Sequence, residues 1–342
     1  MLELSEQCLT PVALTASAAA CPVTTWVRPT TDRRSSRKRA TLLGASALAI
    51  TLACSSTQSE PLTPKARAPL PADVVAKAAL PLYVQHGEEK LSEPALWQAL
   101  AKQRVICFGE QHDDPAHHFA QRRALEELAA RSAAEKRVLA AGFEMFQKPY
   151  QTALSSFVGG TLPEAQFLID SEYKERWGFD FALYRPLLQV ARDNNLEALA
   201  LNTPRELTRK VGRTGLASLE AGERNQLPEL DLTNTDHKAY FDAAMGNHAM
   251  PDRKPEDMYA AQVLWDETMA EAAAAWLSRA GENAQLIVFA GSGHCHKSAI
   301  PARITRRVQL PVLSVTPVAA SQLAQFEDKQ RYDWLVVLQD QK

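Results

Sequence analysis

Most of the chain alternates short runs of apolar, often β-branched residues with longer stretches in which apolar residues return every three or four positions. The runs RVICF (104–108), VLAAGFEMF (138–146), LEALALN (196–202), QLIVFAG (285–291), VQLPVLSV (308–315) and WLVVL (334–338) are near-continuously apolar, which predicts strands buried on both faces. Between them, PAHHFAQRRALEELAARSA after Asp114 and DMYAAQVLWDETMAEAAAAWLSRA after Glu256 carry helical spacing. Asp114 followed by Pro115 is a helix start signal, an N-cap carboxylate ahead of a proline at the first helical position. Strands alternating with helices predict an α/β fold, a mostly parallel sheet flanked by helices. The spacing is uneven: about 147–190 and 205–280 read helical without an intervening strand run, and they predict a smaller all-helical lobe over one end of the sheet. No repeat of solenoid period is visible.

The N-terminal part breaks this pattern. A basic block, Arg33, Arg34, Arg37, Lys38 and Arg39, precedes ATLLGASALAITLAC, an apolar run shorter than the about 20 residues of a membrane-spanning helix. Basic start, short apolar run and small residues describe an export signal over 1–53, and its ending resembles a lipoprotein box with cleavage before Cys54, which would then be lipidated. The segment ahead of the block fits no signal, so translation is expected to start later, near Val27. Residues 54–71, rich in Ser and Pro, read as a flexible tether, and the folded part as 72–342. A lipid-anchored protein of the bacterial cell envelope, facing the periplasm or the cell surface, follows as the expectation.

Composition narrows the partners. At 342 residues and 46% apolar the chain can bury one large core, and a net charge of −2 without a basic patch outside the N-terminal block excludes nucleic acid. Removal of the signal takes Cys8 and Cys21, and lipidation takes Cys54. Cys107 and Cys295 remain, too few for a disulfide scaffold, and are expected as buried thiols, with a single bridge as the alternative.

The chemistry-bearing residues fall at the ends of the predicted strands, where ligands bind in open α/β sheets because the loops converge there. Glu110 and His112 follow the first strand, Glu144 ends the second, Asn202 and Arg205 follow the third, and His294 and His296 follow the fourth. His117 reads as a surface histidine. Glu110 and Glu144 sit where an ionised carboxylate is costly unless paired or coordinated. A structural pairing with Arg205 is one explanation. A divalent metal held by Glu110, His112, Glu144 and His294 is another. The sequence lacks HExxH, a P-loop, GxGxxG and GxSxG, which removes the commonest zincin, nucleotide, dinucleotide and serine-hydrolase readings.

The stretches ICFGEQHDDPAHHFAQ, GFEMFQ, WGFDFALYRPLLQVARDNNLEALALNTPRE, AAQVLWDETMA and VFAGSGHCHKSAIPARI resemble, in order from about Val105 to Ile304, the ChaN-like haem-binding lipoproteins. That family is grouped with Tiki, TraB and erythromycin-esterase-like proteins, whose shared marks are two GxxH motifs with a Glu and an Arg between them. Here Gly109–His112 (GEQH) and Gly291–His294 (GSGH) match the motifs, with Glu144 and Arg205 between. The resemblance implies an exported, membrane-anchored haem-binding protein of haem or iron uptake, acting as a homodimer, with a Tyr phenolate on the ferric iron and His and Lys near the propionates. No short motif marks the ligand. The candidates are Tyr173, Tyr184, Tyr240 and Tyr259, with His237, Lys238 and His248 nearby. The alternative it implies is a metal-dependent protease or esterase, with Glu110, His112, Glu144 and His294 around a metal-bound water and Arg205 stabilising developing charge. A binding protein is favoured over an enzyme.

Overall fold

A computed structural model describes residues 82–86, 89–246 and 252–339. The expected export signal, Cys54, the tether and His248 lie outside these residues. The described chain runs β1 (Leu82–His86), β2 (Glu89–Ser92), α1 (Glu93–Ala101), β3 (Val105–Phe108), α2 (Pro115–Glu135), β4 (Val138–Gln147), α3 (Gln151–Val158), α4 (Glu164–Asp170), α5 (Tyr173–Arg176) and α6 (Phe181–Asp193). It continues with β5 (Glu197–Asn202), α7 (Arg205–Thr214), α8 (Ala221–Arg224), α9 (Thr235–Met245), α10 (Pro255–Ala280), β6 (Ala284–Phe289), α11 (Ser292–Cys295), α12 (Ile300–Val308), β7 (Leu313–Ala319) and β8 (Trp334–Leu338).

The strands form one sheet in the order β2-β1-β8-β7-β3-β6-β4-β5. From β8 to β5 all neighbours are parallel, as the apolar runs predicted; β1 pairs antiparallel with both β2 and β8. Two details depart from the sequence pattern. The β1–β2 hairpin was not anticipated, because its second strand, EKLS, has one apolar residue among four and shows no strand signal. The seventh strand begins at Leu313 rather than Val308: Val308 closes α12, Gln309 takes a left-handed conformation and Pro311 delays pairing.

Side chains alternate across the sheet. On one face Ile106, Phe108, Phe143 and Phe289 join Leu125 of α2, Phe157 of α3, Phe167 of α4 and Leu187 of α6 in the larger core. On the other, Val105, Leu199 and Val288 meet Met269 and Trp276 of α10 and Ile300 and Ile304 of α12. Fully burying side chains of this size contributes about 1.5–3 kcal/mol each before the entropy cost of ordering them. The helices that follow β3 and β4 therefore cover one face, and those that follow β5 and β6 cover the other. That reversal at adjacent strand ends opens a crevice beyond β3 and β6. Asp114 caps α2 as expected, its carboxylate accepting the Ala116 amide at 2.8 Å.

Cys107 of β3 and Cys295 of α11 are joined in a disulfide, both fully buried. The expected pair of free buried thiols thus gives way to the alternative, because α11 lies over the β3 terminus.

A candidate ligand cleft at the strand ends

Register places the site. Phe108 pairs with Phe289 and Phe289 with Phe143, so Gly109–Glu110 and Gly291, just beyond β3 and β6, lie alongside Glu144 of β4. The loops then lock together: the Ser292 amide donates to the Glu110 carbonyl at 2.8 Å, and the Gly291 amide to Glu144 Oε2 at 2.7 Å. The two motif glycines have a steric reason. A Cβ on Gly109 would lie 2.8 Å from Ser292 Oγ, and one on Gly291 would lie 2.9 Å from His112 Cε1. Each GxxH glycine makes room for the other motif.

Both motif histidines are held at Nδ1 by a carboxylate. His112 Nδ1 is 2.8 Å from Glu110 Oε1, and His294 Nδ1 is 2.5 Å from Asp266 Oδ1. His294 Nε2 lies 3.3 Å from Glu144 Oε1, and the His112 ring packs on Gly291 beside the same carboxylate. Burial would lower the His294 pKa, but Glu144 and Asp266 outweigh it and raise it to about 9, so His294 is an imidazolium at neutral pH. His112 is raised as well: burial opposes, while the Glu110 hydrogen bond and the Glu144 charge prevail. Asp266 is held well below the usual carboxylate range, since its two imidazole partners and Arg303 outweigh full burial. His296, stacked beneath, is pushed by burial to about 3 and is neutral.

Glu110, His112 and His294 floor a cleft of about 390 Å³. Its wall is one stripe of α9, namely His237, Tyr240, Phe241, Ala244 and Met245, at the three-and-four spacing of a single helix face. Tyr240 packs on His296 at 4.0 Å between ring centroids, with the Arg331 guanidinium 5.0 Å from its centroid. Beside the opening, His112 touches Trp177 and the partly exposed Phe179.

The candidate residues are distributed unevenly around this cleft. Glu110, His112, His237, Tyr240 and His294 line it, and Glu144 stands directly behind Gly291. Tyr184 is fully buried and donates to Glu110 Oε1 at 2.9 Å, supporting the floor from beneath. Tyr173 sits in the larger core, and Tyr259 is packed against Phe241 with its hydroxyl at His237. Lys238 turns to Asp242 of its own helix. Arg205 opens α7 after the edge strand, and no ion pair among the described residues joins it to Glu110 or Glu144. His117 is buried rather than on the surface, because its Nδ1 accepts the Gln111 amide at 2.9 Å, and burial lowers its pKa. Glu110, His112, Glu144 and His294 were expected as a metal set. They come together here in carboxylate–imidazole pairs, His112 with Glu110 and His294 with Glu144, and among the described residues no group of three or more His, Cys, Asp or Glu side chains forms a ready-made metal cluster.

Two site residues escaped the sequence reading. Asp266 and Gln262, both on α10, reach His294, Gln262 Nε2 at 3.2 Å from its Nδ1. The stretch AAQVLWDETMA that contains them carries no chemical signal of its own beyond the family resemblance.

A family model described as haem-binding uptake, Tiki superfamily, ChaN, matches residues 96–304, well over half of the chain, and the chain belongs to that family. Among solved structures, a chain described as "Cofacial heme binding to ChaN of Campylobacter jejuni" shares the fold with a TM-score of 0.61 at 18% identity, over 76% of this chain and 98% of that one. A weaker likeness, TM-score 0.39 at 12% identity over 71% of this chain and 78% of the other, is to an erythromycin esterase, EreC. Protein RETICULATA-RELATED 5, chloroplastic, of Arabidopsis thaliana is 25% identical over 228 residues, 62% of this chain. The match covers 31% of that protein's length.

Proposed function

We propose that this chain binds haem in the cleft between α9 and the GxxH loops, with Tyr240 as the iron ligand. The observation that carries the reading is that, of the four candidate tyrosines, Tyr240 alone presents its ring to the cleft. The site suits the group: the volume lies within the about 300–1,000 Å³ of small-molecule sites, the Phe241–Met245 stripe offers an apolar wall, and a phenol is an established axial ligand for ferric haem. Haem bound here would supply a ferric centre, while the protein supplies the ligand, the apolar wall and the protonated His294 of the floor.

The wider role follows as part of the proposal: a lipid-anchored protein of the bacterial cell envelope that carries haem for iron uptake and works as a homodimer. The Cys107–Cys295 disulfide supports export, since such bonds persist in oxidising compartments.

A second reading, hydrolysis of an ester or peptide, is favoured by the paired Glu110–His112 and Asp266–His294 contacts around Glu144. There His294, charged at neutral pH, is poised to protonate a leaving group, and Glu144 to take a proton from water.

Titration of the purified protein with ferric haem, followed by visible absorption, separates the two. The carrier reading expects a saturable Soret shift with a phenolate-type spectrum that Tyr240→Phe removes and Glu144→Gln leaves nearly intact. The hydrolase reading expects no such shift, and ester or peptide cleavage that Glu144→Gln or His294→Ala abolishes while Tyr240→Phe does not.

A further inference from the structure

Asp266 has no place in the GxxH pattern, yet it contacts both sides of the cleft. It lies in the middle of α10, fully buried, among Val263, Leu264, Met269 and Ala270, where an apolar side chain would satisfy packing. A buried carboxylate is retained at a cost unless its partners are complete. Here they are. Asp266 Oδ1 accepts from His294 Nδ1 at 2.5 Å and Oδ2 from His237 Nε2 at 2.7 Å.

The direction of the second bond is set by chemistry. His237 Nδ1 faces Arg303 Nη2 at 3.3 Å and the Tyr259 hydroxyl at 3.2 Å. A guanidinium can only donate, so Nδ1 must accept and the ring proton must sit on Nε2, pointed at Asp266. The chain of contacts Arg303, His237, Asp266, His294, Glu144 thus links α12, α9, α10, α11 and β4.

His237 stands one turn before Tyr240 on the cleft face of α9, and it supplies that helix's hydrogen bonds to α10. Whatever fixes the roll of α9 at His237 fixes the aim of Tyr240. We infer that Asp266 is the positioning residue of the haem cleft, holding Tyr240 toward the iron through His237 on one side and orienting His294 on the other. This role rests on the haem reading above. It makes the cleft's wall and floor depend on one carboxylate that touches neither ligand nor solvent, as outer-shell partners of metal ligands commonly do.

Three variants of the full chain test it: Asp266→Asn, His237→Phe and, as reference, Tyr240→Phe. Asn has the shape of Asp but cannot accept from both imidazoles. His237→Phe cuts only the arm to α9. Each is read by ferric haem titration with visible spectra, and without haem by 15N shifts of the imidazole nitrogens. Asp266→Asn is expected to weaken haem about tenfold to a hundredfold, to lose the phenolate spectrum as Tyr240→Phe does, and to shift the His294 and His237 ring signals. His237→Phe is expected to lose the same spectrum with the His294 signals unmoved. A wild-type phenolate spectrum and affinity in His237→Phe would overturn the inference, even if Asp266→Asn proves too unstable to purify. The same result in a folded Asp266→Asn would do so directly. Absence of any Soret shift in the wild-type chain would instead remove the haem reading, and Asp266's role toward Tyr240 with it.

Discussion

At the scale of single residues, the site carries its chemistry in opposed histidines. His294 is raised to about 9 by Glu144 and Asp266 against burial, whereas burial lowers His296 to about 3. Between the ordinary histidine pKa of about 6.5 and 9 the folded chain keeps a proton on His294 that the unfolded chain has lost, so stability falls as pH rises through that window. Between about 3 and 6.5 the unfolded chain gains a proton on His296 that the folded chain refuses, so stability falls as pH drops. The pair should place maximum stability near pH 6.5, with each limb worth a few kcal/mol (about 1.4 per pKa unit). Urea unfolding from pH 5 to 9.5 checks this. His294→Gln should shrink the alkaline limb, to which the raised His112 also adds, and His296→Gln the acid one, to which the lowered His117 also adds; limbs of unchanged size would refute the assignment. The strand-end residues Glu110, His112, Glu144 and His294 were legible because each follows a local apolar run. Asp266 was not, because α10 is buried on so much of its circumference that no polar face singles it out: the adjacent Glu267 is equally buried, in ion pairs with Arg303, Arg306 and Arg307.

At the scale of elements, the sheet ends at β5, whose outer backbone edge the chain covers in a specific way. The side-chain amide of Gln151 imitates a neighbouring strand: its Nε2 donates to the Ala198 carbonyl at 2.8 Å, and its Oε1 accepts the Ala200 amide at 2.7 Å. An open strand edge invites pairing with another chain, and side chains that occupy it remove the template. Gln151→Ala should therefore cost about 1–2 kcal/mol in urea unfolding for two lost hydrogen bonds and raise self-association in sedimentation velocity. Unchanged stability together with unchanged sedimentation would show that the amide does not guard the edge. Strand runs and the long helices were readable from period alone, with the start of β7 displaced because a proline and a left-handed residue, not hydrophobicity, decide where pairing begins.

At the scale of the whole molecule, the Cys107–Cys295 disulfide closes a separation of 188 residues and joins the β3 end of one motif to the helix of the other. Cross-links over long loops stabilise mainly by restricting the unfolded chain. The double variant Cys107→Ser with Cys295→Ser should lose about 2–5 kcal/mol in denaturant unfolding, and its unfolding should no longer respond to a dithiol reductant. A variant as stable as the parent would mean that the bridge contributes nothing to the fold.

The sequence by itself determined the α/β class, the strand ends at which the chemistry sits and the two GxxH motifs, because each of these is written in residues within a turn or a strand of one another. Only the tertiary structure decided that β6 lies between β3 and β4, and that placement brings Gly291 onto Glu144 and Ser292 onto Glu110. It also decided which tyrosine faces the cleft, that the two cysteines meet, and that Asp266 joins wall to floor. Those are contacts between residues far apart in the chain, and sheet order and helix roll, set by the competition of whole faces for burial, are not encoded at any single position.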